Sequence, residues 1–155
     1  MAQPTSASGN RYTYIGNKKS EASCMWDNWD HQTYTVEDLA TGFVRFKGGT
    51  TLSIEASFAA HIEKDVFATT IMGTRGGVYV GDDGIKVFTD RGGKMLNVTP
   101  AFLPNVDAFG QKMKSWIDAI RGAKNPAPGE DGLTVQKILD GIYASAEKGR
   151  EVPIR

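Results

Sequence analysis

The chain has 155 residues, enough for one domain with a sizeable core and no need of covalent staples. Eighteen basic and eighteen acidic side chains cancel, which argues against nucleic acid or an anionic membrane being gathered by net charge. A single cysteine, Cys24, excludes an internal disulfide and offers no metal-ligand spacing. No apolar run is long enough to span a bilayer.

Residues 1–10 are small and polar. They read as a frayed start without a charged-then-apolar signal region, which predicts a cytoplasmic protein. Arg11-Tyr12-Thr13-Tyr14-Ile15 is aromatic and β-branched and reads as a strand. Residues 16–35 are irregular and bring Trp26, Asp27, Asn28, Trp29, Asp30 and His31 close together. Long loops in compact domains tend to be functional. Two readings of this cluster stand open. Both indoles are buried and pin the loop, or their faces and the neighbouring polar groups form a contact surface for a sugar or polyol.

Residues 43–58 read as a hairpin around Gly48-Gly49. A two-residue turn pairs Val44 with Ser53. A three-residue loop with a bulge pairs Val44 with Leu52 and Phe46 with Thr50. The second register gathers Val44, Phe46, Leu52, Ile54, Ala56 and Phe58 on one face, so the apolar pattern selects it. Phe43, Arg45, Thr51, Ser53, Glu55 and Ser57 then share the other face. Further strands are predicted at 66–72, 78–80, 85–88 and 95–98. The glycine-rich intervals between them are too short for crossover helices, so these strands are antiparallel.

After Pro104 the period changes. Phe109, Met113, Trp116, Ile117 and Ile120 recur at helical spacing, with Asn105 or Asp107 as cap, Gly122 as stop and Trp116 in the core. A second helix begins near Asp131, presents Val135, Ile138, Leu139, Ile142 and Ala146, and stops at Gly149. Strands first and helices afterwards predict an α+β domain with a large, mostly antiparallel open sheet and helices on one face.

Chemical motifs are sparse. Gly73-Thr74-Arg75-Gly76-Gly77 lies between two strands and reads as a turn, since a phosphate cradle needs a following helix. His31 and His61 lack ligand spacing, so no metal site is expected. Cys24 reads as an inert thiol. No residue set reads as a catalytic constellation.

Several segments together resemble the C-terminal domain of the glucose-fructose oxidoreductase / inositol dehydrogenase (Gfo/Idh/MocA) family. They are Thr35-Val36-Glu37-Asp38-Leu39-Ala40, the run from Phe43 through Gly48-Gly49 to Ser57, the Gly73 to Gly77 turn, Pro128-Gly129-Glu130-Asp131-Gly132, and Ile142-Tyr143-Ala144-Ser145-Ala146-Glu147-Lys148-Gly149-Arg150. The resemblance covers nearly the whole chain and is clearest over 35–152. It implies the substrate-side and oligomerisation domain of an NAD(P)-dependent sugar or polyol oxidoreductase. In such enzymes a Rossmann domain carries the nucleotide loop and the catalytic lysine. Neither that domain nor the family's catalytic histidine is recognisable in residues 1–155. The isolated chain is therefore expected to be inactive and to bind no cofactor itself, with NAD(P) implied for the full-length enzyme. Trp26, Asp27, Trp29, Asp30 and His31 are the expected substrate-binding residues, and the open sheet face is the expected homo-oligomer interface. Two alternatives remain: a free-standing carbohydrate or small-ligand module, and an enzyme with unfamiliar chemistry around residues 26–31.

Overall fold

The computed structural model describes residues 2–19 and 30–155. In chain order the elements are β1 (Pro4–Tyr12), β2 (Leu39–Phe46), β3 (Thr51–Ser57), β4 (Ala68–Gly73), β5 (Gly76–Gly81), β6 (Gly84–Arg91), β7 (Lys94–Val98), α1 (Ala108–Ile120), α2 (Gly129–Lys148) and β8 (Val152–Pro153). They fall into two compact units. One comprises Met1–His61 with Ala119–Arg155, the other Ile62–Asp118. The α+β class and the antiparallel pairing hold. The strands form two four-stranded sheets, β3-β2-β1-β8 and β4-β5-β6-β7, rather than one continuous ladder. The break falls at residues 58–67, which carry no strand.

In the first unit, the segment expected to fray is β1, an inner strand between β2 and β8. Ser6, Ala7, Ser8 and Gly9 have weak strand propensity, and tertiary pairing overrides it. Their small size serves packing. A Cβ on Gly9 would lie 2.8 Å from Ile142 Cγ2, and one on Gly42 would lie 2.5 Å from Ile142 Cδ1. Helix α2 thus sits directly on the backbones of β1 and β2. Ala7, Val44, Ile138 and Ile142 form the buried core, with Phe46, Ile54 and Ile154 against it. The strand expected at 11–15 ends at Tyr12, and the chain turns immediately afterwards.

The β2–β3 hairpin has the bulged register. Val44 pairs with Leu52, and the Phe46 N–H donates to the Thr50 carbonyl at 2.9 Å. Gly48 and Gly49 carry φ of 93° and 89°, a region that disfavours side chains. Helix α2 starts two residues earlier than expected. Glu130 and Asp131 in its first turn suit the positive end of the helix dipole. Gly149 closes it in the left-handed conformation. Its buried face is Ile138, Gly141, Ile142 and Ser145. Val135 and Leu139, expected on that stripe, are exposed. Gly141 and Ser145 turn inward instead, because a close helix–sheet approach needs small residues.

The second unit contains the β4–β7 meander. Ile71, Val78, Val87 and Val98 form one cross-strand row, and Val80 opposite Ile85 adds to the same face. Asp107 Oδ1 accepts the Gly110 N–H at 2.9 Å and caps α1. Gly122, at φ 98°, follows the helix. The apolar stripe of α1 forms as expected, but Trp116 is 61% exposed rather than in a core. The helix does not pack on β4–β7. Among the described residues, no helix is long and apolar enough to cross a membrane.

Candidate functional site at the base of the 17–33 segment

The chain leaves β1 at Tyr12 and enters β2 at Leu39. Asp38, 3% exposed, stands at this junction. Its N–H donates to the Tyr12 carbonyl at 2.8 Å. Its carbonyl accepts the Ser57 hydroxyl at 2.7 Å and the Phe58 N–H at 3.3 Å. Main-chain bonds therefore tie Asp38 to the ends of both neighbouring strands.

The carboxylate does something different. Oδ2 accepts the N–H groups of Tyr14 and, at 2.6 Å, of Ile15, while Oδ1 accepts that of Gly16 at 2.9 Å. Three consecutive amides thus converge on one anion, the pattern by which turns bind negative charge. The Tyr34 hydroxyl, beside the carboxylate, donates to the Glu37 carbonyl at 3.4 Å. Burial pushes the Asp38 carboxyl up, but the hydrogen bonds from Ile15, Tyr14, Gly16 and Tyr34 outweigh it and hold the group below its ordinary range. Burial, then the bond to Asp38 and the nearby charges of Asp38 and Glu37, push Tyr34 up to about 12.

Neighbouring contacts lock this cluster. A Cβ on Gly16 would lie 2.2 Å from the Tyr34 ring, so only glycine fits beneath it. The ring of Tyr34 meets Phe58 at a centroid distance of 6.2 Å. Glu37 accepts the Tyr143 hydroxyl of α2. That bond, then burial and the charge on Glu37, raise the Tyr143 pKa. The Arg11 guanidinium lies 5.5 Å from the Tyr143 ring. Deeper in α2, Ser145 Oγ accepts the Gly9 N–H at 3.0 Å and donates to the Arg150 carbonyl at 2.8 Å.

Of the expected substrate-binding residues, Asp30 and His31 are described, while Trp26, Asp27 and Trp29 lie outside the described residues. Asp30 is exposed and shapes its own turn: Oδ1 accepts the Gln32 N–H at 2.9 Å, and its carbonyl accepts the Thr33 N–H at 3.1 Å. His31 is half-buried. Glu37, Asp38 and Tyr143 lie in segments that carry the family resemblance, but neither they nor Tyr34 had a role assigned from the sequence. Two acids before an apolar strand were the available signal. With every carboxylate oxygen occupied, Asp38 suits organising a segment rather than taking a proton from a ligand. Among the described residues, no three His, Cys, Asp or Glu side chains converge as a metal site would require.

The open face of the first sheet is polar and charged. Arg45 Nε donates to Glu151 Oε1 at 3.2 Å, and the Ser6 hydroxyl donates to the same oxygen at 2.5 Å. The Ser6 bond, and then the charge and bond of Arg45, hold the Glu151 carboxyl low despite some desolvation. The Arg45 guanidinium also sits 5.2 Å from the Phe43 ring.

Antiparallel meanders and a helix laid over the glycines of β1 and β2 define an α+β domain. A family model described as the oxidoreductase family C-terminal alpha/beta domain (Gfo/Idh/MocA) matches residues 11–154, and the chain belongs to that family. It is 26% identical over 151 residues to D-glucoside 3-dehydrogenase of Escherichia coli (strain K12), covering 96% of this chain and 42% of that protein. The fold is similar to an oxidoreductase domain protein from Kribbella flavida, with a TM-score of 0.75, 19% identity and coverage of 99% of this chain and 46% of that one. It is also similar to a levoglucosan dehydrogenase solved with NADH and L-sorbose, with a TM-score of 0.73, 20% identity and coverage of 99% and 45%. The chain thus spans less than half the length of the relatives it matches.

Proposed function

We propose that the chain is the substrate-side and oligomerisation domain of an NAD(P)-dependent oxidoreductase acting on a sugar or polyol, cytoplasmic and not catalytic by itself. The family match over residues 11–154 carries this reading. The curated relative is a sugar-type dehydrogenase of which this chain spans 42%, and hydride transfer needs a nicotinamide held against the substrate. The sequence has no strand–glycine loop–helix unit to hold one. In this reading a Rossmann domain supplies the nucleotide. The 17–33 segment, with Trp26, Asp27, Trp29, Asp30 and His31, faces the substrate, because clefts between domains are favoured ligand sites. The open face with Phe43, Arg45, Thr51, Ser53 and Glu55 meets a second copy.

Calorimetric titration of the chain with NADH and NADPH tests the central claim. No binding is expected, and micromolar binding of either overturns it. In an enzyme carrying this domain, Asp27→Ala and His31→Ala should raise KM or lower kcat with the melting temperature nearly unchanged. Loss of stability alone, on Trp26→Ala and Trp29→Ala, would make the segment structural.

A further inference from the structure

We propose that α1 is a hinged strap that closes over the aliphatic face of β4–β7 and gives the second unit its core. Every residue from 62 to 118 is described, and none of them is buried. A meander needs a covered apolar face to be stable, and a sheet or helix with one apolar side buries it against another element. The unit holds both halves of such a layer. On the sheet, Ile71, Val78, Val87 and Val98 stand in one cross-strand row, with Val80 opposite Ile85 beside it. On the helix, Phe109, Met113, Trp116 and Ile117 form one exposed stripe. The two apolar surfaces do not touch in this structure.

The other face of the meander does not suit a cover. It carries Tyr79 paired with Lys86, and Phe88 with Asn97. Lys86 Nζ bonds Asp83 Oδ2 at 2.6 Å and lies 5.1 Å from the Tyr79 ring. Covering those charges would strip them of water, so the aliphatic face is the one the helix takes. The helix is sided in the same way. Lys114 and Asp118 form an ion pair, and at the helical repeat they fall on the side away from the stripe. Lys112 lies 4.7 Å from the Phe109 ring at the flank, where its stem can follow apolar surface while its charge stays in water. The tether is residues 99–107, between Val98 and Ala108. Extended, it reaches about 30 Å, more than the roughly 20 Å length of a 13-residue helix. Helix α1 can therefore fold back along the strands it has just left. A short tether holds the helix near the sheet at an effective concentration in the millimolar range, ahead of a second copy in solution. The inference goes beyond the function proposed above and does not rest on it.

Methyl NMR on the whole chain tests the inference. The methyls of Met113 and Ile117 should show nuclear Overhauser contacts with those of Val78 and Val87. Mixing labelled with unlabelled chains separates the sources. Contacts within one chain support the strap. Contacts only between chains place a second copy on the face and overturn it, as does the absence of both. In Met113→Asp, closure would bury a charge, so the amides of Val78 and Val87 should exchange roughly tenfold faster or more. Val44 and Ile142 of the first unit should stay protected. Lys114→Gln, on the far side of the helix, should leave exchange as it was. Unchanged exchange at 78 and 87 in Met113→Asp, or an equal rise in Lys114→Gln, would overturn the proposal. If Met113→Asp does not fold, the methyl contacts of the unmodified chain decide.

Discussion

Gly42 of β2 and Ile142 of α2 meet so closely that a Cβ on the glycine would lie 2.5 Å from the isoleucine Cδ1. The contact sets the spacing between helix and sheet. Gly42→Ala should therefore destabilise the chain by about 1–3 kcal/mol through overpacking. Removing Cδ1 relieves part of the clash, so Gly42→Ala with Ile142→Val should cost less than the two changes summed. Urea unfolding of the two single variants and the double variant measures the difference.

Ser145 serves two main-chain groups at once, the Gly9 N–H and the Arg150 carbonyl. Ser145→Ala leaves both without that partner in a buried place, at about 1–3 kcal/mol. The loss should appear in thermal melts, with faster exchange at Gly9 than at Val44.

Alkaline titration should separate the tyrosines. Tyr34 is held neutral in the folded chain up to about 12, against an ordinary 10.0. A raised pKa contributes stability that is full below the ordinary value and is lost as pH rises through the folded one. Tyr34→Phe should flatten the fall in stability between pH 10 and pH 12. Chemical unfolding across that window, read beside phenolate absorbance, checks it.

Arg45 and Glu151 form an ion pair whose side chains are 57% and 47% exposed. Solvent screens exposed pairs, which contribute little to stability. Arg45→Glu should leave the melting temperature within a few degrees of the original. If the open sheet face is an interface, the same change should shift light scattering behind size exclusion toward monomer. A monomer before the substitution overturns the interface.

Local signals carried the hairpin and the helices. Apolar alternation distinguished the bulged register from its neighbour, because a one-residue slip would have turned Val44 or Leu52 outward. Asp107, Gly122 and Gly149 mark helix ends by chemistry confined to a few residues. By contrast, β1 looked like a loose tail because Ser6, Ala7, Ser8 and Gly9 are chosen for what crosses over them, a helix more than 120 residues later. The burial of α2 shifted toward Gly141 and Ser145 for the same reason.

The candidate site was partly legible. Its chain position was visible, as a long irregular stretch with aromatic and acidic residues. The role of Asp38 was not, because its partners lie 22 to 24 residues earlier and are backbone amides. A donor that every residue possesses leaves no mark in a sequence.

Strand β1 pairs with β8, far away in sequence, Ser6 opposite Pro153 and Ala7 opposite Val152. That pairing has a consequence for birth on the ribosome. β4 to β7 contact only near neighbours in sequence and can close as soon as they emerge. β1, made more than 120 residues before α2, must wait with Ala7 uncovered until α2 and β8 follow. The residues of β1 suit that delay. A segment rich in serine, threonine and glycine tolerates water while it waits, where a valine-rich inner strand would invite aggregation.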